Sequence, residues 1–224
     1  MKKVYLDNAS TTAMRPEVIQ VMVDCMAQDY GNPSSTHSLG RHAKSILELS
    51  RKSIAKALNA TAQEILFTSG GTEANNWILR SAVKDLKVRR IISSKMEHHA
   101  VLYPILELQK EFDIQVEYVE NSADGVLDLT HLVDLLSEST EKTLVSLMHV
   151  NNETGVVLDL ERVSQICQEH HAFFHSDTVQ SVGKAILDLQ KVPVDFIVSS
   201  AHKFHGPKGV GFAFIRKNSG LQPL

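Results

Sequence analysis

Cysteine is nearly absent from this sequence. Its 224 residues include two, Cys25 and Cys167, too far apart in sequence to suggest a disulfide framework or a CxxC metal site. Each falls in a helix-like segment, where a thiol packs as a small core residue. Excess positive charge is also missing. A net charge of −3 gives no general attraction to nucleic acid or to an anionic membrane. No apolar run is long enough to span a bilayer, and Met1-Lys2-Lys3 leads into a strand-like stretch rather than an apolar signal region, so the cytoplasm is the expected location. Repeats and low-complexity segments are lacking too. What remains is ordinary for a water-soluble globular protein, with 43% hydrophobic and 22% charged residues. The length suffices for a sizeable core, in one domain or one and a half.

In chain order, Val4-Tyr5-Leu6 reads as a short strand, followed by a polar turn over Asp7 to Thr12. Pro16 suits a first helical position, and Val18, Val21, Met22, Cys25 and Met26 give that helix an apolar face. A loop at Gly31-Asn32-Pro33-Ser34-Ser35 precedes a long amphipathic helix from about Ser38 to Leu58. Strands and helices then alternate. Strands are predicted at 65–68, 90–93, 114–119, 143–148, 172–175, 194–199 and 210–215, and helices at 73–86, 101–110, 130–136 and 160–170. This order implies an α/β fold with a mostly parallel sheet and helices on both faces. The short return into 210–215 implies one antiparallel neighbour. Ligands of such sheets bind beyond the carboxyl ends of the strands.

The polar clusters gather at those ends. Thr68-Ser69-Gly70-Gly71-Thr72-Glu73 leads from strand to helix, and its glycines let backbone N–H groups approach an anion at a helix N-terminus. It lacks the lysine of a GxxxxGK[ST] loop and the spacing of GxGxxG, which argues against nucleoside triphosphates and dinucleotides. Glu97-His98-His99 offers a ring that can stack on a flat heterocycle, or two histidines that lack a second pair to complete a metal site. His170, His171 and His175 read as solvent-facing or strand-end residues. Asn151-Asn152-Glu153-Thr154-Gly155 offers amides, and Ser176-Asp177-Thr178-Val179-Gln180 a carboxylate able to pair with a protonated pyridine nitrogen. In Ser200-Ala201-His202-Lys203, followed by Gly206-Pro207, a lysine is placed to present its amine to a carbonyl compound. Singly, each of these is also a helix cap, a plain turn or a surface charge. Together they offer an anion cup, a stacking ring, an amide, a carboxylate and a lysine, the set that one molecule of pyridoxal 5′-phosphate (PLP) uses at once.

With Tyr5-Leu6-Asp7-Asn8-Ala9, Gly31-Asn32-Pro33-Ser34-Ser35, His149-Val150-Asn151-Asn152-Glu153 and Asp177-Thr178-Val179-Gln180-Ser181 added in order, the chain closely resembles the cysteine desulfurases of the NifS/IscS type. These are class V aminotransferase-like PLP enzymes of fold type I. The resemblance implies a PLP-dependent transferase large domain with a mostly parallel seven-stranded sheet over residues 16–224. Residues 1–15 would contribute to the small domain and the active-site edge, and most of the C-terminal small domain would be missing. It implies that Lys203 holds PLP covalently and moves the substrate α-proton, while His98 stacks on the ring. Asp177 would pair with the ring nitrogen and Gln180 with the phenolic oxygen, Asn152 would lie near that oxygen, and Gly71, Thr72, Ser200 and His202 would hold the phosphate.

The implied reaction takes L-cysteine to L-alanine and passes sulfur as a persulfide to an acceptor or scaffold protein, in iron–sulfur cluster assembly or thiolation, with the enzyme a homodimer. Neither Cys25 nor Cys167 matches the family's nucleophilic cysteine, which lies beyond the position matching Leu224 together with a substrate-gripping arginine. The chain alone is therefore expected to bind PLP without completing desulfuration. Alternatives are a selenocysteine lyase, another class V enzyme, or a non-catalytic fragment or binding module of the same fold.

Overall fold

Short apolar runs and amphipathic helices assemble into one seven-stranded sheet in the computed structural model, which describes residues 3–222. The strands are β1 (Ile65–Thr68), β2 (Arg90–Ser93), β3 (Gln115–Tyr118), β4 (Thr143–Ser146), β5 (Phe173–Asp177), β6 (Phe196–Ser200) and β7 (Gly211–Ile215). The helices are α1 (Pro16–Gln28), α2 (Ser38–Ala57), α3 (Gly71–Lys84), α4 (His99–Phe112), α5 (Leu129–Ser137) and α6 (Leu160–Glu169). Across the sheet the order is β1-β7-β6-β5-β4-β2-β3. Of the described strands, β7 alone runs against its neighbours, β1 and β6. The carboxyl ends of the other strands therefore share one edge.

Because successive side chains of a strand point to opposite faces, adjacent residues divide between two cores. Ile91, Leu144, Phe196 and Val198 pack with Trp77, Ile78 and Leu79 of α3 and Val101, Ile105 and Leu108 of α4. Ile92, Val145, Phe174 and Ile197 pack on the other face with Leu132, Leu135 and Leu136 of α5 and Val163, Ile166 and Cys167 of α6. Each such fully buried aliphatic or aromatic side chain contributes about 1.5–3 kcal/mol. The doubly covered sheet is the layout expected from the alternating pattern.

Two expectations are corrected. Val4, Tyr5 and Leu6 form no strand and are exposed, Leu6 by 86%. Strand propensity is realised where a partner strand exists to complete the ladder. Here Tyr5 Oη instead donates to the Asp7 carbonyl at 2.8 Å, within a local turn. His175 is not at the surface. Strand β5 runs on to Asp177, which places His175 in the interior at 0% exposure, its Nδ1 2.9 Å from Ser146 Oγ. Burial drives its pKa down to about 3 and leaves it neutral. Helix α1 forms as the pattern predicts, yet none of its residues is buried among those described.

Gly211 opens β7 where the backbone passes against the turn after β1. A Cβ there would lie 2.2 Å from the Ser199 carbonyl oxygen and 2.9 Å from Gly70 Cα. Backbone atoms cannot step aside as a flexible side-chain end can. Gly211→Ala should destabilise the chain by about 1–3 kcal/mol, as overpacking does. A thermal melt should show Tm falling by roughly 2–4 °C for each kcal/mol; an unchanged Tm would contradict the close approach.

Candidate active site

The edge shared by the parallel strands opens into a cavity of about 410 Å³. Its base is the buried carboxyl of Asp177, the last residue of β5, which is 6% exposed. Oδ1 accepts from the Val179 N–H at 3.0 Å and Oδ2 from Asn75 Nδ2 at 2.8 Å. Burial raises the Asp177 pKa. The Val179 and Asn75 hydrogen bonds oppose that rise, as does attraction to His98 and Lys203. Ionised Asp177 is thus poorly solvated and would gain from a cation placed above it.

Lys203 stands in the 3-10 turn Ala201–Lys203 that follows β6. Its Nζ donates to the Ala9 carbonyl at 2.5 Å, and Gln180 Nε2 donates to the same oxygen at 2.8 Å. The lysine pKa is lowered, first by burial and then by the positive charge of Lys184, against attraction from Asp177 and Asp7. More of its amine is therefore uncharged near neutrality than in a free lysine. The residues around Ala9 reach this turn because the chain from 11 to 15 is bonded to it. Thr12 N–H donates to the His202 carbonyl at 2.8 Å, Thr11 Oγ1 lies 3.1 Å from His202 Nδ1, and the His205 N–H donates to Thr12 Oγ1 at 2.7 Å.

One wall is a cradle. Gly70 has φ 154° and ψ −175°, a backbone region essentially confined to glycine. Gly71 begins α3, and a Cβ there would meet Val179 Cγ2 at 2.6 Å, with the Cβ of Ser200 at 4.0 Å. Side chains are absent where the first N–H groups of α3 emerge, as an anion at a helix N-terminus requires. Thr72 follows in the first turn, and Ser200 and His202 complete this side of the lining. The pKa of His202 is lowered by burial and then by Lys203 and Lys208.

The opposite wall carries His98, the N-cap of α4. Its Nδ1 accepts from the Ala100 N–H at 3.0 Å, which puts the proton of the neutral ring on Nε2. Asn152, in the turn after β4, also lines the cavity, with its Nδ2 donating to Glu153 Oε1 at 2.6 Å. All nine residues singled out from sequence, Gly71, Thr72, His98, Asn152, Asp177, Gln180, Ser200, His202 and Lys203, border this one cavity. Cys25 and Cys167 do not; Cys167 is buried in α6, and burial pushes its thiol pKa far up.

Asn75 and the Ala9 carbonyl were not singled out, although residues 1–15 were expected at the edge of the site. Asn75 lies one helical turn beyond Gly71, in the stripe that continues through Ile78, Leu79 and Ala82 toward the sheet. A polar side chain in an apolar stripe was the available signal. Ala9 acts through its carbonyl, which no side-chain pattern reveals. Among the described residues no three His, Cys, Asp or Glu side chains converge as a metal site, and no helix is long and apolar enough to cross a membrane.

Residues 4–224 match the family model described as aminotransferase class-V. A protein named cysteine desulfurase IscS from Dictyoglomus turgidum is 42% identical over all of this chain, which spans 56% of that relative. A solved structure described as a NifS-like protein superposes with a TM-score of 0.94 at 39% identity, over 100% of this chain and 62% of the other. A NifS-like protein from Rickettsia africae gives a TM-score of 0.89 at 33% identity, over 100% and 61%. The chain spans little more than half the length of the curated relatives it matches.

Proposed function

The chain belongs to the class-V aminotransferase family, and from that premise we propose that it is the cofactor-binding large domain of a PLP-dependent cysteine desulfurase. Residues 16–224 form that domain, and residues 1–15 supply the edge of its site. The observation that carries this reading is that a buried carboxyl, a partly buried lysine and a glycine-lined helix N-terminus face one cavity.

These residues fit PLP. The side-chain-free cradle at Gly70 and Gly71 leaves N–H groups open to a phosphate, with Thr72, Ser200 and His202 around it. Asp177, costly to ionise unpaired, suits a protonated pyridine nitrogen. His98 would cover the ring, and Gln180 and Asn152 could offer amides to its oxygen. PLP, when bound, withdraws electrons from the substrate Cα.

The chain's own side chains do the rest. Burial and Lys184 favour the unprotonated form of Lys203 Nζ, the amine that would hold the cofactor at its carbonyl carbon with loss of water and that, when free, could take the proton from the substrate Cα. Asp177 stays ionised while it faces a cation. His98, whose neutral ring carries its proton on Nε2, lines the cavity and could move a proton there. A thiol, giving up its proton, would attack the substrate sulfur to form the S–S bond of a persulfide as the Cβ–S bond breaks and its electron pair passes to the carbon skeleton that becomes alanine; neither cysteine of this chain lines the cavity. That thiol would come from outside these residues, and a sulfur acceptor and the second subunit of a homodimer are proposed from the likeness to cysteine desulfurases alone.

Incubation of the chain with PLP, then borohydride and peptide mapping, should place the label on Lys203. With L-cysteine added, no protein-bound persulfide should form. A folded chain that takes no label would overturn the cofactor reading, and a persulfide on Cys25 or Cys167 would overturn the claim of an external thiol.

A further inference from the structure

We propose that Glu97 is the positioning residue for His98, clamping the loop after β2 onto the loop after β4 so that the two walls of the cavity move as one. The inference rests on the PLP reading above, because it concerns the ring that His98 would cover.

Glu97 is 5% exposed and precedes the N-cap His98. Its Oε1 accepts from the backbone N–H of Met148, just past β4, at 2.7 Å. A second bond runs in the same sense, from Asn151 Nδ2 to the Met96 carbonyl at 3.0 Å. Asn151 Oδ1 also accepts from the N–H groups of Glu153 and Thr154 at 2.9 and 3.0 Å, which sets the turn bearing Asn152. Met148, held by Glu97, lines the cavity itself. Two hydrogen bonds thus join the residues that carry His98 to those that carry Asn152, far apart in the sequence.

Burial favours the uncharged form of the clamping carboxyl. Burial raises the Glu97 pKa well above the carboxylate range, the Met148 N–H opposes that rise, and the nearby charge of Asp177 adds to it. Other titratable groups close by are His98, next in sequence, His149, next to Met148, and Asp159, across a small apolar cavity that Glu97 also lines. Oε2 has no partner among the described residues. A second buried anion would compete with Asp177 for the cation above it. A neutral acid holds the wall without doing so.

The test uses the whole chain with PLP, read by visible absorbance and by circular dichroism of the bound cofactor. Glu97→Met keeps the bulk but offers the Met148 N–H no oxygen; it should weaken PLP binding about tenfold and reduce the dichroic band. Glu97→Gln keeps a neutral acceptor, and should restore both signals and leave the pH dependence of the absorbance as in the parent. Because Glu97 is an acid with a raised pKa, its ionisation costs stability as pH climbs above the carboxylate range. The thermal midpoint of Glu97→Gln should therefore gain on the parent over that climb. A folded Glu97→Met with parental affinity and dichroism would overturn the proposal. So would a Glu97→Gln whose absorbance titrates differently, even if the Met variant fails to fold. A parent that binds no PLP would instead refute the cofactor reading on which this rests.

Discussion

Lys203→Ala is expected to lose all borohydride-stable labelling by PLP. Among the described lining residues its amine alone can form the covalent link, and its turn is fixed by bonds to Thr11, Thr12 and Ala9. The glycine cradle and Asp177 are untouched by the change. A reversible, weaker complex should therefore persist, seen as free-aldehyde absorbance that dialysis removes. Lys203→Arg should not restore the link, because a guanidinium stays charged and is a poor nucleophile. Label appearing on Lys184 or Lys208 of the alanine variant at the parental rate would show that the assignment of the lysine is wrong.

Asp177→Asn should move stability and cofactor affinity in opposite directions. The folded-state pKa of Asp177 is raised, so its ionised form costs stability above the unfolded-state pKa, and the cost is relieved as pH falls through the folded value. Replacing it with a neutral amide removes that cost. The replacement also fits locally. The oxygen of the introduced amide can keep the Val179 N–H, and Asn75, whose Oδ1 has no partner among the described residues, can turn its own amide to accept from the introduced NH₂. The cofactor-free variant should melt no lower than the parent at neutral pH. Its affinity for PLP should fall by about a hundredfold, on the order of 3 kcal/mol for a buried cation deprived of its anion. A thermal melt and a PLP titration on the same samples check both halves; equal affinity would remove Asp177 from the cofactor's surroundings. The pairing of lower binding with undiminished stability is the trade expected of a functional carboxylate.

Much of this was legible in the amino-acid order, for a physical reason. Strands buried on both faces are continuous apolar runs, as in Phe196-Ile197-Val198, and amphipathic helices separate them, so the doubly covered sheet follows from pattern alone. Loops at strand ends then collect the polar residues of Thr68 to Glu73 and Ser200 to Lys203. Other features depend on what the chain meets after folding. Val4-Tyr5-Leu6 has the composition of a strand and meets no partner strand among the described residues. His175 looks like a strand-end residue until β5 is seen to run two residues further. The link from Glu97 to Met148 and the carbonyl of Ala9 under Lys203 join distant segments through backbone groups, which carry no mark in the sequence.

The antiparallel strand β7 also governs when the site can come into being. Among the described strands β1 has no sheet partner other than β7, which lies between it and β6. Gly70 and Gly71 are made early in synthesis, but the strand that leads into them has no sheet neighbour until residues 211–215 are made. Closing a contact over so long a loop is slow, because the loop-closure entropy is lost before the pairing rewards it. On the PLP reading, the β1 edge of the cofactor's cradle would be the last part of the sheet to be completed. A cofactor that binds there would join a nearly completed sheet, and its absence should slow the final docking of the β1 edge less than it lowers the stability of the docked state.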